Sequence, residues 1–281
     1  MTRALTFLAV LIAAIYLFAV YLRRTGMFFP DRFPTGRWDT KLWMVEPSEH
    51  WITTSDDVKL HAWLFRSNDA GAPMLIWFHG NAGNLTDRAE MAAELARRGV
   101  SVFLFDWRGY GKSGGKATES GLYRDALAAY EYVQSGAAGS QPAESTTGGL
   151  RARRSTIVLY GESLGGPYAA YVAKERKGVH AVIIENSFPS LLALGNAFYK
   201  PLPLGLTAPF ALRTAAWLNE AGVPVLVMHG TRDQVIPYAL GKELYDELRV
   251  PKEMLTANAG HCEIPLFEAA RYYEAVVRFA H

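Results

Sequence analysis

Cysteine is nearly absent from this 281-residue chain. Cys262 stands alone, so no intrachain disulfide can form and stability must come from a hydrophobic core. Excess charge of either sign is also missing: 29 Lys and Arg face 27 Asp and Glu, for a formal net charge of +2. No basic stripe is visible, which argues against a nucleic-acid partner. No group of His, Cys and acidic residues has metal-ligand spacing, so neither a metal nor another cofactor is expected. Phosphate loops are missing too. Gly80-x-x-Gly83 has no Lys-Ser/Thr after it, and Gly109-x-Gly111 with Lys112-Ser113 has the wrong glycine spacing. Apolar residues, in contrast, make up half the chain. They are enough to bury the core of one α/β domain or of two small domains.

Ala4 to Leu22 is almost entirely apolar, with Arg3 before it and Arg23-Arg24 after it. As a helix these 19 residues would rise about 28 Å, close to the hydrocarbon thickness of a bilayer. Tyr16 and Tyr21 lie toward its second end, as interfacial aromatics do. No Ala-x-Ala site follows the run, and two arginines stand where a signal-peptide cleavage site needs small residues. The expectation is an uncleaved single-pass anchor over residues 1–26; a cleaved signal and a buried soluble helix are the alternatives. Basic residues flank both ends, so charge does not set the orientation. Residues 27–51, rich in Pro and aromatics, read as an irregular linker held to the domain by its tryptophans. A domain over residues 52–281 follows.

Within that domain strands and helices alternate. Ile52-Thr53-Thr54 and Val58–Phe65 read as a hairpin around Ser55-Asp56-Asp57. Continuous apolar runs at Met74–Phe78, Val100–Phe105, Ser155–Tyr160, Val179–Glu185 and Val223–Met228 read as strands buried on both faces, and Glu253–Thr256 as a short last strand. Helices are expected over Asp87–Arg98, Glu119–Val133, Pro167–Lys174, Tyr238–Leu248 and Ile264–Phe279. Such alternation predicts a mainly parallel sheet covered on both faces, with the site beyond the carboxyl ends of the strands. Residues 135–154, rich in Gly, Ala, Ser and Thr, read as a flexible surface insertion. Residues 187–219, with four prolines among many leucines and aromatics, break the alternation and read as a short apolar cap.

The chemistry centres on Gly161-Glu162-Ser163-Leu164-Gly165. A strand before it and a helix after it make this Gly-x-Ser-x-Gly pattern a nucleophile elbow. A serine hydroxyl needs a base. His261, on the loop after the last strand, is best placed among the seven histidines. His79 and His229 end buried strands next to glycine, where they shape loops. The orienting acid should fall between nucleophile and base in the chain. Asp233 fits, and Glu185, at the end of the preceding strand, competes with it. The oxyanion hole should use the backbone N–H of Leu164 and, from the His79-Gly80-Asn81 loop, that of Asn81. Cys262 adjoins the base, but the elbow already holds a serine, so it reads as a small packing residue.

Five motifs carry a family resemblance: His79-Gly80-Asn81-Ala82-Gly83-Asn84; Asp106-Trp107-Arg108-Gly109-Tyr110-Gly111-Lys112-Ser113-Gly114; Gly161-Glu162-Ser163-Leu164-Gly165-Gly166; His229-Gly230-Thr231-Arg232-Asp233 with Ile236-Pro237; and Gly260-His261. From about Val58 to the C-terminus the chain resembles the α/β-hydrolase superfamily, and within it the Bem46-like serine hydrolases and their ABHD-type relatives. The resemblance implies an α/β-hydrolase fold with an eight-stranded, mostly parallel sheet whose second strand is antiparallel. It implies Ser163 as nucleophile, Asp233 as acid and His261 as base, and agrees with a membrane-tethered N-terminus. Two stretches depart from the group's pattern: the insertion is longer, and Thr207–Asn219 lacks the polar pattern of a cap's end. The expected activity is cleavage of carboxylic esters through an acyl-enzyme, on a small-molecule or lipid-like substrate with an apolar acyl group. Thioesterase or peptidase action would use the same three residues. A non-catalytic ligand-binding member and a cofactor-free perhydrolase are the remaining alternatives.

Overall fold

A computed structural model describes residues 28–138, 156–198 and 212–281, together with 6, 7, 10, 13 and 14. Most of the expected anchor lies outside the described residues, as do 139–154 of the insertion and 199–211 of the cap. Among the described residues no helix is long and apolar enough to cross a membrane.

Eight strands form the central sheet. In chain order they are β1 (Ser48–Thr53), β2 (Lys59–Phe65), β3 (Met74–Phe78), β4 (Ser101–Phe105), β5 (Ile157–Glu162), β6 (Val179–Glu185), β7 (Val225–Gly230) and β8 (Lys252–Ala257). They lie in the order 8-7-6-5-3-4-2-1. Only β2 runs against the others, pairing antiparallel with both β1 and β4. The remaining pairs are parallel, so the carboxyl ends of β3 to β8 share one edge.

Helices cover both faces. They are α1 (Ala89–Arg97), α2 (Glu119–Gln134), α3 (Gly165–Glu175), α4 (Leu191–Phe198), α5 (Thr214–Ala221), α6 (Tyr238–Glu247), α7 (Ile264–Phe267) and α8 (Ala269–Ala280). Strand β3 shows why its sequence is a continuous apolar run. All five residues are buried; Met74, Ile76 and Phe78 join the core beneath α2, α3 and α5, while Leu75 and Trp77 join the core beneath α1 and α8. A side chain alternates faces at every residue of a strand, so a strand covered on both sides must be apolar throughout. Each such burial contributes roughly 1.5–3 kcal/mol.

Three expectations need correction. The 27–51 linker is not irregular to its end, because Ser48 to Trp51 already belong to β1. The part before β1 packs on the domain. Phe28 and Trp43 are buried, and Phe29–Pro30 pair in parallel with Ala82–Gly83. Trp38 packs edge-on against Trp63, as its aromatic composition suggested. The last helix divides at Glu268, whose φ of −133° leaves the helical region while its carboxylate accepts the Asn258 N–H. The expected 187–219 cap is too long. Thr214–Ala221 is a core helix with Ala215, Trp217 and Leu218 buried, and Trp217 packs on Tyr171 of α3 at 5.4 Å. Its small and apolar residues are a helix's buried face, which accounts for the missing polar pattern.

Candidate active site

Strand β5 ends at Glu162, α3 begins at Gly165, and Ser163 sits in the bend with φ of 52°. A left-handed backbone at a residue with a side chain is strained, and it persists only where neighbours over-determine it. They do so here. The Ser163 N–H donates to the Glu185 carbonyl at 2.8 Å, and the Ser187 hydroxyl donates to the Ser163 carbonyl at 2.8 Å. The flanking glycines are steric requirements. A Cβ on Gly161 would lie 2.5 Å from the Gly166 Cα, and one on Gly165 would collide with the Phe78 carbonyl.

The loops carrying Ser163, Asp233 and His261 meet beyond the carboxyl ends of their strands. His261 Nε2 lies 3.0 Å from Ser163 Oγ, and its Nδ1 lies 2.8 Å from Asp233 Oδ2. The Asp233 carboxylate is further fixed: Oδ1 accepts the N–H groups of Val235 and Ile236, each at 2.8 Å, and Oδ2 accepts from the Asn186 side chain at 2.6 Å. Burial opposes its charge, but hydrogen bonding from His229, His261 and Asn186 outweighs that and holds the carboxyl far below the usual range. An ionised Asp233 can stabilise an imidazolium at His261.

Glu185, the competing acid, faces elsewhere. Its carboxylate is bonded by the Tyr160 hydroxyl, which also meets the Tyr272 hydroxyl at 2.7 Å. Burial pushes its pKa up to about 8, so it is neutral at pH 7. Cys262 is half-buried. Desolvation and the charge of Glu162 raise its thiol well above the ordinary value, the opposite of an activated thiolate.

Leu164 opens α3, where the helix dipole favours a developing negative charge. The Asn81 N–H belongs to the same peptide unit as the Gly80 carbonyl, which His79 Nδ1 approaches at 2.8 Å. Burial, with the Arg88 charge, lowers the His79 pKa to about 3. His79 is therefore neutral, with the proton on Nδ1 where it can donate to Gly80. The Asn81 carbonyl is held in turn by the Phe29 N–H at 2.9 Å and the Tyr110 hydroxyl at 2.8 Å. No group of His, Cys, Asp and Glu suited to a metal ion occurs among the described residues.

Sequence reasoning missed the residues that join the two halves of this site. Arg88 grips Glu162 of the elbow, with Nε to Oε2 at 3.0 Å and Nη2 to Oε1 at 2.5 Å. Its Nη1 donates to the carbonyls of Ala82 and Asn84 in the oxyanion loop. Trp77 Nε1 donates to Glu162 Oε2 at 3.1 Å. Burial opposes the Glu162 charge, yet Arg88 holds its pKa at about 2. The second omission is the segment around Phe29. Its backbone contact with Asn81 left no side-chain signature. The only available signal was a charged residue at the variable position of the elbow, which must find a buried partner.

Comparison with known proteins places this geometry in context. Residues 72–193 match the family described as "Serine aminopeptidase, S33". The chain is 32% identical over 230 residues to an uncharacterized protein of Mycobacterium tuberculosis, covering 81% of this chain and 77% of that one. It is 29% identical over 232 residues to protein bem46 of Schizosaccharomyces pombe, covering 78% and 72%. An esterase of Pyrococcus furiosus shares the fold with a TM-score of 0.66 at 22% identity, over 90% of this chain and 96% of that one.

Proposed function

This chain belongs to the Bem46-like group of the α/β-hydrolase superfamily, and on that premise we propose that it is a serine hydrolase cleaving carboxylic esters through an acyl-enzyme. The observation that carries the reading is the unbroken hydrogen-bonded line from Asp233 through His261 to Ser163. In this mechanism Ser163 Oγ attacks the ester carbonyl carbon and His261 Nε2 takes its proton. The N–H groups of Leu164 and Asn81 receive the oxyanion, each such donor being worth roughly 3 kcal/mol in the transition state. Collapse expels the alkoxide, which leaves with the proton from His261. Water then attacks the acyl-enzyme by the same route and frees Ser163.

Ester cleavage is favoured over the aminopeptidase activity in the matched family's description. An aminopeptidase needs a free carboxylate for the substrate's α-ammonium. The two carboxyl groups beside the elbow are committed, Glu162 to Arg88 and Glu185 to its own proton. The leucines of the expected cap favour an apolar acyl group, and the Ala4–Leu22 run anchors the enzyme to a membrane. The test is a matched series of one acyl group as ester, thioester and peptide amide, across chain lengths, on the full-length protein in detergent. Fastest turnover of the ester, rising with acyl length, is expected. A faster thioester would make it a thioesterase, a faster amide a peptidase. Failure to react with a fluorophosphonate would leave only a ligand-binding role.

A further inference from the structure

We infer that the edge of the domain carrying Ser163, Asp233 and His261 is itself a membrane-docking face, seated on phospholipid headgroups with its outermost apolar side chains in the acyl layer. This rests on the proposed anchor at Ala4–Leu22.

The first support is where the chain arrives. Phe28 is buried, and Phe29–Pro30 are paired to the oxyanion loop at Ala82–Gly83. The N-terminal segment therefore meets the domain beside Asn81, at the catalytic edge. Only residues 23–27 separate Leu22 from Phe28. Fully extended, that stretch reaches at most about 22 Å, whereas a compact domain of this size is about 45 Å across. A bilayer holding residues 4–22 can touch the edge where Phe28 sits but not the far one.

The second support is what that edge exposes. Phe29, Phe33, Val235, Leu266 and Phe267 are all exposed. Each is tied to a loop beyond a strand's carboxyl end. The Phe29 N–H bonds the Asn81 carbonyl and the Phe33 N–H the Gly111 carbonyl. Val235 is held to Asp233, and Leu266 and Phe267 to Glu263. Rigid backbones carrying exposed apolar tips insert into lipid with little loss of conformational freedom.

The third support is charge placement. The Arg232 guanidinium lies 5.6 Å from the centre of the Phe267 ring, and its Nη2 donates to the Asn258 carbonyl. The Lys112 ammonium lies 5.8 Å from the Phe33 ring centre and pairs with Glu49. Apolar rings beside cations match a boundary where phosphates meet acyl chains. Docked in this way, an apolar acyl substrate would pass from bilayer to Ser163 without crossing water.

The test is membrane depth, measured by nitroxide spin labels on the full-length chain in phosphatidylcholine–phosphatidylglycerol vesicles. Cys262→Ser removes the native thiol, with Cys262→Ala in reserve. Leu266→Cys and Val235→Cys each supply one label site on the inferred face. Met44→Cys supplies the control: Met44 is 78% exposed, against 79% for Leu266, but packs by Arg97 at the end of α1, away from the catalytic edge. Every variant must still react with a fluorophosphonate. The expected result is flotation with the vesicles, with labels at 266 and 235 gaining oxygen contact and losing contact with a water-soluble nickel complex several-fold, while the label at 44 stays in water. Flotation with all three labels in water overturns the docking face and leaves the anchor standing. Failure to float overturns both. Shielding from nickel without a gain in oxygen contact would mean a second copy or another protein covers this face, and overturns the lipid assignment.

Discussion

Two glutamates stand side by side beneath the elbow and behave oppositely. Glu162 and Glu185 are paired in register at the ends of β5 and β6, both buried. On the oxyanion side Glu162 is gripped by Arg88 and Trp77 and stays ionised, with a pKa of about 2. On the α8 side Glu185 accepts from the Tyr160 hydroxyl, and burial, outweighing that bond and the weaker pull of Arg88, raises its pKa to about 8. Adjacent positions in one sheet thus carry a charge or lose it according to what the chain brings from elsewhere. Keeping Glu185 neutral also avoids a second carboxylate charge beside Glu162.

The largest expected effect comes from breaking the charged side. Glu162→Gln leaves the buried Arg88 only its 3.4 Å contact with the exposed Asp87 carboxylate, and should cost about 3–5 kcal/mol, a fall in Tm of roughly 10 °C. The double variant Arg88→Met with Glu162→Leu should be more stable than either single one, because both buried charges are gone. Thermal unfolding in mild detergent checks both.

The neutral side should show its difference in pH dependence. The folded pKa of Glu185, about 8, lies above its ordinary 4.5. Between these values the folded protein binds a proton that the unfolded chain has lost, so the stability Glu185 contributes is full below pH 4.5 and is lost as pH rises through about 8. Glu185→Gln mimics the neutral form. It should leave Tm nearly unchanged at pH 5 and raise it at pH 9, flattening the alkaline fall by a few kcal/mol. Glu162 has the opposite sign: its contribution is present above pH 4.5 and lost as pH falls toward 2. Tyr160→Phe should cost less, about 1–3 kcal/mol, by leaving the Glu185 carboxyl without its partner. The smallest effect is expected at the oxyanion loop. Tyr110→Phe removes the hydroxyl bond to the Asn81 carbonyl and leaves that from the Phe29 N–H, and should lower kcat by about tenfold or less, with KM nearly unchanged.

The same contrast explains what could be read in advance. Continuous apolar runs announced the strands, and β3 and β6 fell on their expected residues, because a strand buried on both faces must be apolar throughout. Ser163, Asp233 and His261 were legible because each follows a strand end, and a parallel sheet gathers those ends on one edge. The Arg88–Glu162 pair spans 74 residues of sequence, and no local pattern records such a partnership. The contact between Phe29 and Asn81 uses backbone atoms alone, which every residue but proline could supply. Helix α5 was misread because a segment rich in small and apolar residues is equally suited to a cap or a core face, and only its packing against Tyr171 decides between them.

The proposed chemistry stands or falls on Ser163. The most direct measurement is p-nitrophenyl ester hydrolysis by full-length Ser163→Ala beside the unaltered protein, with Tm recorded for both. The expected result is an unchanged fold and a loss of turnover by roughly 10⁴-fold or more. Ester hydrolysis persisting at the level of the unaltered protein would contradict the proposed mechanism.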